Sequence, residues 1–98
     1  MRRHVTQTVK LTRLFKALSV ETRVEMIELL KHRSLCVNSL AKTLGITPAA
    51  VSQHLRVLRD ADLVVADRKG YFVHYRVNRE ALERMKDDAV RFFRHPEG

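Results

Sequence analysis

One cysteine, no tryptophan, three glycines and two prolines in 98 residues rule out several architectures at once. A lone Cys36 allows no intrachain disulfide framework and no all-cysteine metal site within one chain. It fits a reducing, cytoplasmic setting. So few glycines and prolines leave no low-complexity tract or flexible linker, and no internal repeat is visible. No apolar run approaches the ~18 residues needed to cross a bilayer. The basic start Met1-Arg2-Arg3-His4 lacks a following apolar run, so no signal peptide is expected. Aromatics are four Phe and two Tyr, too few to suggest base stacking as the main mode of binding nucleic acid. No Ser/His/Asp set, phosphate-binding Gly loop or paired-carboxylate arrangement is recognisable, so no enzyme is expected.

Acid is also scarce. Lys and Arg number 19 against 11 Asp and Glu, giving a net charge of +8. That excess favours polyanionic partners, nucleic acid first and an acidic membrane surface second. The length suits one domain, 1–98, with a single modest core.

Hydrophobic spacing supplies the elements. Leu11, Leu14, Phe15 and Leu18 fall at i, i+3, i+4 and i+7, predicting an amphipathic helix over about 8–18. Ser19 is the expected N-cap of a second helix, 20–31, with Ile27 and Leu30 inward and Val24 and Met26 beside them. Val37, Leu40, Ala41 and Leu44 repeat the helical spacing as far as Gly45, a natural stop. Thr47 then caps a fourth helix, and Pro48 occupies its first turn, where a missing N–H costs nothing. Val51, Leu55 and Leu58 form its buried side to about Ala61. From Val64 the period changes. Val64–Ala66 and Tyr71–Val77 are β-rich runs joined by the basic turn Asp67-Arg68-Lys69-Gly70. In the second run Tyr71, Val73, Tyr75 and Val77 alternate with Phe72, His74 and Arg76. Helical spacing returns from Arg79, with Leu82, Met85, Ala89 and Phe92 on one side.

The expected fold is therefore mainly α with a β-hairpin wing, in the order α-α-α-α-β-β-α. Two short helices joined by Leu44-Gly45-Ile46-Thr47, with a basic hairpin after them, make the layout of a winged helix-turn-helix. Four packed helices with a hairpin and no ligand remain the alternative. If helix 47–61 turns Val51, Leu55 and Leu58 inward, its outer face carries Ala49, Ser52, Gln53 and Arg56, with Arg59 a turn further on. Gln53 suits bidentate pairing with adenine, Ser52 a base edge or phosphate, and Arg56 and Arg59 mainly phosphate. Thr47 at the helix start suits a phosphate. Ala49 and Ala50 allow close backbone approach and contact with thymine methyls, so an A/T-leaning half-site is expected. Arg68 and Lys69 of the wing suit flanking phosphates or the minor groove. Arg2–Lys16 holds five basic residues and no acid, expected either to track the DNA backbone or to form a disordered basic arm.

The apolar stripe Leu82, Met85, Ala89 and Phe92, with Phe93 beside it, exceeds what a terminal helix of so small a domain hides easily. The first helix, with Leu11 and Leu14, has a similar excess. Packing helices 8–18 and 79–93 against their copies would bury both in a homodimer and set two reading helices about one DNA turn (~34 Å) apart.

A resemblance adds to this reading. Phe15-Lys16-Ala17-Leu18, Thr22-Arg23, Leu35-Cys36-Val37, Leu44-Gly45-Ile46 and the run Val51-Ser52-Gln53-His54-Leu55-Arg56-Val57-Leu58-Arg59-Asp60-Ala61 carry it. Leu63-Val64, Arg68-Lys69-Gly70 and Tyr75 extend it. Residues 15–77 resemble the ArsR/SmtB family of bacterial transcriptional repressors. The resemblance implies a homodimer that binds an inverted-repeat operator in double-stranded DNA and blocks transcription. It places His54 in the family's "SxHL" run, as a packing, phosphate-contact or base-reading residue. It also implies that Asp62 stands where the family usually has Gly, which puts the wing's pitch in question.

Family members often sense metals or oxidants. Here the family's Cys-x-Cys element is Cys36-Val37-Asn38, lacking the second thiol that arsenite and similar soft ions want. The last helix has Asp88-Ala89-Val90 where the family has Asp-x-His, and His95-Pro96-Glu97 does not complete a second pair. Cys36 is expected as a buried small hydrophobe. No cofactor is expected; Cys36 with His4 and His32 is the remaining metal-ion candidate. The other functions left open are a protein-interaction winged-helix module and a non-specific nucleic-acid binder.

Overall fold

Seven elements follow the expected order in the computed structural model, which describes residues 3–96, with side chains from Gln7 onward. They are α1 (Arg3–Ala17), α2 (Glu21–Leu30), α3 (Val37–Leu44), α4 (Pro48–Asp60), β1 (Val64–Lys69), β2 (Phe72–Val77) and α5 (Arg79–Phe93). Helix α1 begins five residues before the expected start, so the basic segment from Arg3 is helix and not a disordered arm.

The α1–α2 corner differs from the sequence expectation. Ser19 does not cap α2; its hydroxyl donates to the Lys16 carbonyl at 2.8 Å and closes α1 instead. Val20 holds the N-cap position without a side-chain hydrogen bond. Arg23 reaches back across the corner, its Nε donating to the Ala17 carbonyl at 2.6 Å and Nη2 to that of Lys16 at 3.1 Å. One guanidinium thus satisfies carbonyls that the end of α1 leaves open. Met26, Ile27 and Leu30 of α2 are buried, whereas Val24, at the edge of that face, is 40% exposed.

Helix α3 ends at Gly45, whose φ of +68° lets the Ile46 N–H return to the Ala41 carbonyl at 3.1 Å. Thr47 then caps α4, its Oγ1 accepting from the Ala50 N–H at 3.1 Å. The core forms where these helices meet: Met26, Leu40, Val51, Leu58 and Leu63 are fully enclosed, with Leu30 and Leu55 nearly so.

Asp62 turns the chain from α4 into the wing. Its φ is +64°, its N–H donates to the Arg59 carbonyl at 2.9 Å, and the Leu63 N–H donates to that of Leu58 at 2.9 Å. This paired closure is a Schellman motif, in which Gly is the usual residue at the left-handed position. The turn closes without glycine, at the cost of holding an L-residue in αL. Asp62→Gly is expected to stabilise the protein by about 0.5–1 kcal/mol, raising Tm by roughly 2–8 °C in a thermal melt. A fall in Tm would show that the left-handed strain at Asp62 is smaller than the entropy a glycine adds to the unfolded chain.

The hairpin is longer than expected. β1 runs through Asp67, Arg68 and Lys69, and the register proceeds from Val64 opposite Val77 to Lys69 opposite Phe72. Only Gly70 and Tyr71 remain as the loop. Gly70 alone has positive φ, +62°, as a two-residue II′ loop requires at its first position. Tyr71 therefore sits at the tip instead of starting the inward-facing set. Leu35 adds a third rung, donating to the Tyr75 carbonyl at 3.0 Å and accepting from its N–H at 2.8 Å. That bridge ties the base of the wing to the start of α3. Asn78 caps α5, its Oδ1 accepting from the Ala81 N–H at 3.2 Å. Ala81 is fully buried, and no helix among the described residues is long and apolar enough to cross a membrane.

Candidate nucleic-acid interface

Helix α4 is anchored by one face and offers the other. Val51, Leu55 and Leu58 are buried, and the helical repeat turns Ala49, Ser52, Gln53, Arg56 and Arg59 outward, where all five are exposed. Ala50 is half-buried at the edge of that face. Among the described residues, Ser52, Gln53, Arg56 and Arg59 have no side-chain hydrogen bond or ion pair within the protein. Their donors and acceptors are satisfied by solvent and free for exchange with a ligand. Thr47 Oγ1 accepts the Ala50 N–H, which leaves its hydroxyl hydrogen free to donate outward.

His54 is half-buried, and its Nδ1 is enclosed without a hydrogen-bond partner. The ring therefore packs along the flank of α4 with Nδ1 turned inward. Asp60, the last residue of α4, is exposed and acidic, so the cationic surface ends before the helix does.

On the wing, Arg68 and Lys69 are exposed and have no ion-pair partner among the described residues. They are strand residues, not turn residues, and so lie on opposite faces of the ribbon. Asp67, the acid closest to them in sequence, is held by Arg76 at 2.7 Å. That pair removes the one negative group of the wing from competition with the cations beside it. The alternation expected of Tyr71 and Phe72 would put them on opposite faces, but both are exposed at the tip, Tyr71 100% and Phe72 68%. The two-residue loop Gly70-Tyr71, shorter than the expected turn 67–70, is what brings them together.

A buried hydrophobic anchor, a capped start and a free polar outer face on the second of two linked helices define a winged reading head. The family described as "Bacterial regulatory protein, arsR family" matches residues 21–65, from the start of α2 to the first residues of the wing. The transcriptional repressor SdpR of Bacillus subtilis is 33% identical over 70 residues, covering 71% of this chain and 78% of that protein. The chain belongs to the ArsR family.

Solved structures agree with that placement. An ArsR-like transcriptional regulator from Rhodococcus sp. RHA1 superposes with a TM-score of 0.79 at 29% identity, over 87% of this chain and 80% of that one. The winged helix-turn-helix DNA-binding domain of Mb0332 from Mycobacterium bovis, described as homodimeric, has a TM-score of 0.79 at 24% identity, over 99% and 91% of the two chains. The latter likeness shows the fold. Curated relatives are matched over 53% to 78% of their length. This ArsR-family member is thus a winged helix-turn-helix, DNA-binding transcriptional regulator.

The residues expected at a dimer interface divide in two. Leu14 is buried in the protomer's own core, and Leu82 and Met85 are half-buried against that core. Leu11 and Ala89 are half-buried. The exposed apolar surface lies further along: Phe92 is 59% and Phe93 69% exposed, and both rings meet Phe15 of α1 at 5.9 and 6.2 Å between centroids. Val9 and Val90 are also exposed.

Cys36 is not a buried hydrophobe. It is the half-buried N-cap of α3, with Sγ accepting the Ser39 N–H at 3.4 Å and lying 3.3 Å from Ser39 Oγ. These contacts, the Ser39 hydroxyl foremost, hold its thiol below the ordinary value. No three His, Cys, Asp or Glu residues among those described come together as metal ligands, and the His4 side chain lies outside the described residues.

Proposed function

We propose that this regulator is a cytoplasmic repressor that works as a homodimer on an inverted-repeat operator. One α4 enters the major groove of each half-site, and the wings lie on the flanking DNA. The single observation that carries this reading is the outward face of α4, where Ser52, Gln53, Arg56 and Arg59 stand exposed and without partners among the described residues. Gln53 lies at the centre of that face and has the paired donor and acceptor that adenine's major-groove edge matches. Arg56 and Arg59, with Arg68 and Lys69, supply phosphate contacts that set register without specifying sequence. Thr47 donates to a phosphate at the helix start, and Ala49 and Ala50 meet thymine methyls. The dimer is supported by Phe92 and Phe93, which one protomer leaves largely uncovered, with Phe15 beside them.

A gel-shift series on duplexes selected by the purified protein tests the reading helix. Gln53→Ala is expected to cost about 1–3 kcal/mol and to relax preference at one base-pair position in each half-site. Unchanged preference in the variant would show that α4 meets DNA in another phase. Binding insensitive to both salt and sequence would assign the head to a protein partner.

A further inference from the structure

The wing tip carries an arrangement that the hairpin itself does not require. Gly70 meets the conformational demand of the loop, so the fold places no demand on Tyr71. Even so, Tyr71 and Phe72 present two adjacent aromatic side chains to water. The exposed phenylalanines of α1 and α5 contact one another, whereas the tip aromatics have no aromatic neighbour among the described residues. Lys69 and Phe72 are directly opposite in the register and share a face, while Arg68 and Val73 share the other. The aromatic tip thus has, on each side of the ribbon, a cation with no ion-pair partner among the described residues.

We propose that the tip is a wedge for duplex DNA: Tyr71 and Phe72 enter the minor groove outside each half-site and unstack one base step, while Arg68 and Lys69 hold the two phosphate strands that border it. The proposal rests on α4 being the reading helix. Its support is threefold. Charge complementarity selects a polyanion, since Asp67 is already held by Arg76 and leaves the tip purely cationic. Apolar side chains inserted between base steps are a common device of minor-groove binders, and a tyrosine keeps its hydroxyl in water while its ring is buried. Reach also matches: the six residues of β1 span about 20 Å from the end of α4, close to the half-turn of roughly 17 Å that separates a major groove from the next minor groove.

Unstacking is easiest at pyrimidine–purine steps, so the wedge adds a preference at a position α4 never touches. The test is selection from a randomised duplex pool by the full chain and by the double variant Tyr71→Ser/Phe72→Ser. The tip lies outside the core, so the variant keeps its fold. The wild type is expected to select half-sites with a TA or CA/TG step at one fixed offset outside them. The variant is expected to select the same half-sites without that step, and to bind the wild-type-selected duplex about tenfold more weakly. With 2-aminopurine placed at the step, fluorescence should rise on adding saturating wild type and not on adding the variant. Shared half-sites with identical flanks in both pools, or no rise in fluorescence at saturation, overturn the wedge and leave the α4 reading intact. Undiminished DNA affinity in the variant also overturns it, and assigns the tip to a protein partner. Failure of the wild type to select any half-site overturns the α4 reading and the wedge together.

Discussion

Placing acids at the end of α5, as Phe92→Glu with Phe93→Glu, is expected to split the proposed dimer and to lower operator affinity by about 10²–10⁴-fold while each protomer stays folded. The separation of effects follows from where the rings lie. Phe92 and Phe93 are outside the buried core and touch Phe15, itself at the protomer's edge. Their replacement removes little that holds one protomer together. In a two-fold dimer the same patch meets its copy, so each substitution acts twice. Four carboxylates would then have to leave water for an apolar seam without partners, a cost that dissociation avoids. Once separated, a protomer grips one half-site and loses the effective concentration that the second half-site supplied. Sedimentation equilibrium measures the mass directly, and gel shifts on one-half-site and two-half-site duplexes measure the lost linkage. The wild type should favour the two-half-site duplex strongly and the variant hardly at all. A variant that remains a dimer with full operator affinity would move the interface away from these rings.

Much of this architecture was legible because local chemistry and long-range packing agree. Gly45, Thr47 and Pro48 mark the turn between α3 and α4, and each does what its chemistry suggests: left-handed stop, side-chain cap, first-turn residue. The stripe Val51, Leu55 and Leu58 set the phase of the reading helix, and its burial fixes which residues face outward. Legibility fails where two local solutions compete. Ser19 has the chemistry of an N-cap, but its hydroxyl finds the Lys16 carbonyl, and Arg23, six residues beyond Ala17, completes the corner from across the turn. Spacing within one helix cannot reveal that contact. Cys36 is a similar case. Hydrophobicity predicts burial, whereas its position before α3 makes Sγ a weak acceptor for the Ser39 N–H. In the wing, the polar composition of Asp67-Arg68-Lys69 suggested a turn. Strand pairing continues through it because the partners His74, Val73 and Phe72 supply a full ladder. The burial of Leu14 within one protomer is not legible from its stripe, because which part of an apolar helix face the protomer itself covers depends on how the other helices pack against it.

The largest effect of all is expected from salt. Arg56, Arg59, Arg68 and Lys69 are exposed and have no acid partner among the described residues, so the proposed dimer brings about eight such cations to the phosphates. Counterion release then gives a slope near −7 in a plot of log K against log salt concentration. Raising salt from about 50 to 200 mM should therefore weaken binding on the order of 10⁴-fold. The magnitude distinguishes this site from an ordinary basic surface, because scattered solvated charges would not engage phosphates together. Individual variants divide the term. Arg68→Ala removes two contacts per dimer, so the slope should become shallower by about 2, with specific and random duplexes weakened alike. Gln53→Ala carries no charge change and should leave the slope intact while altering sequence preference. A wild-type slope of about −2 would mean that most of these cations stay solvated, and binding would then have to rest on the contacts of α4 with base edges.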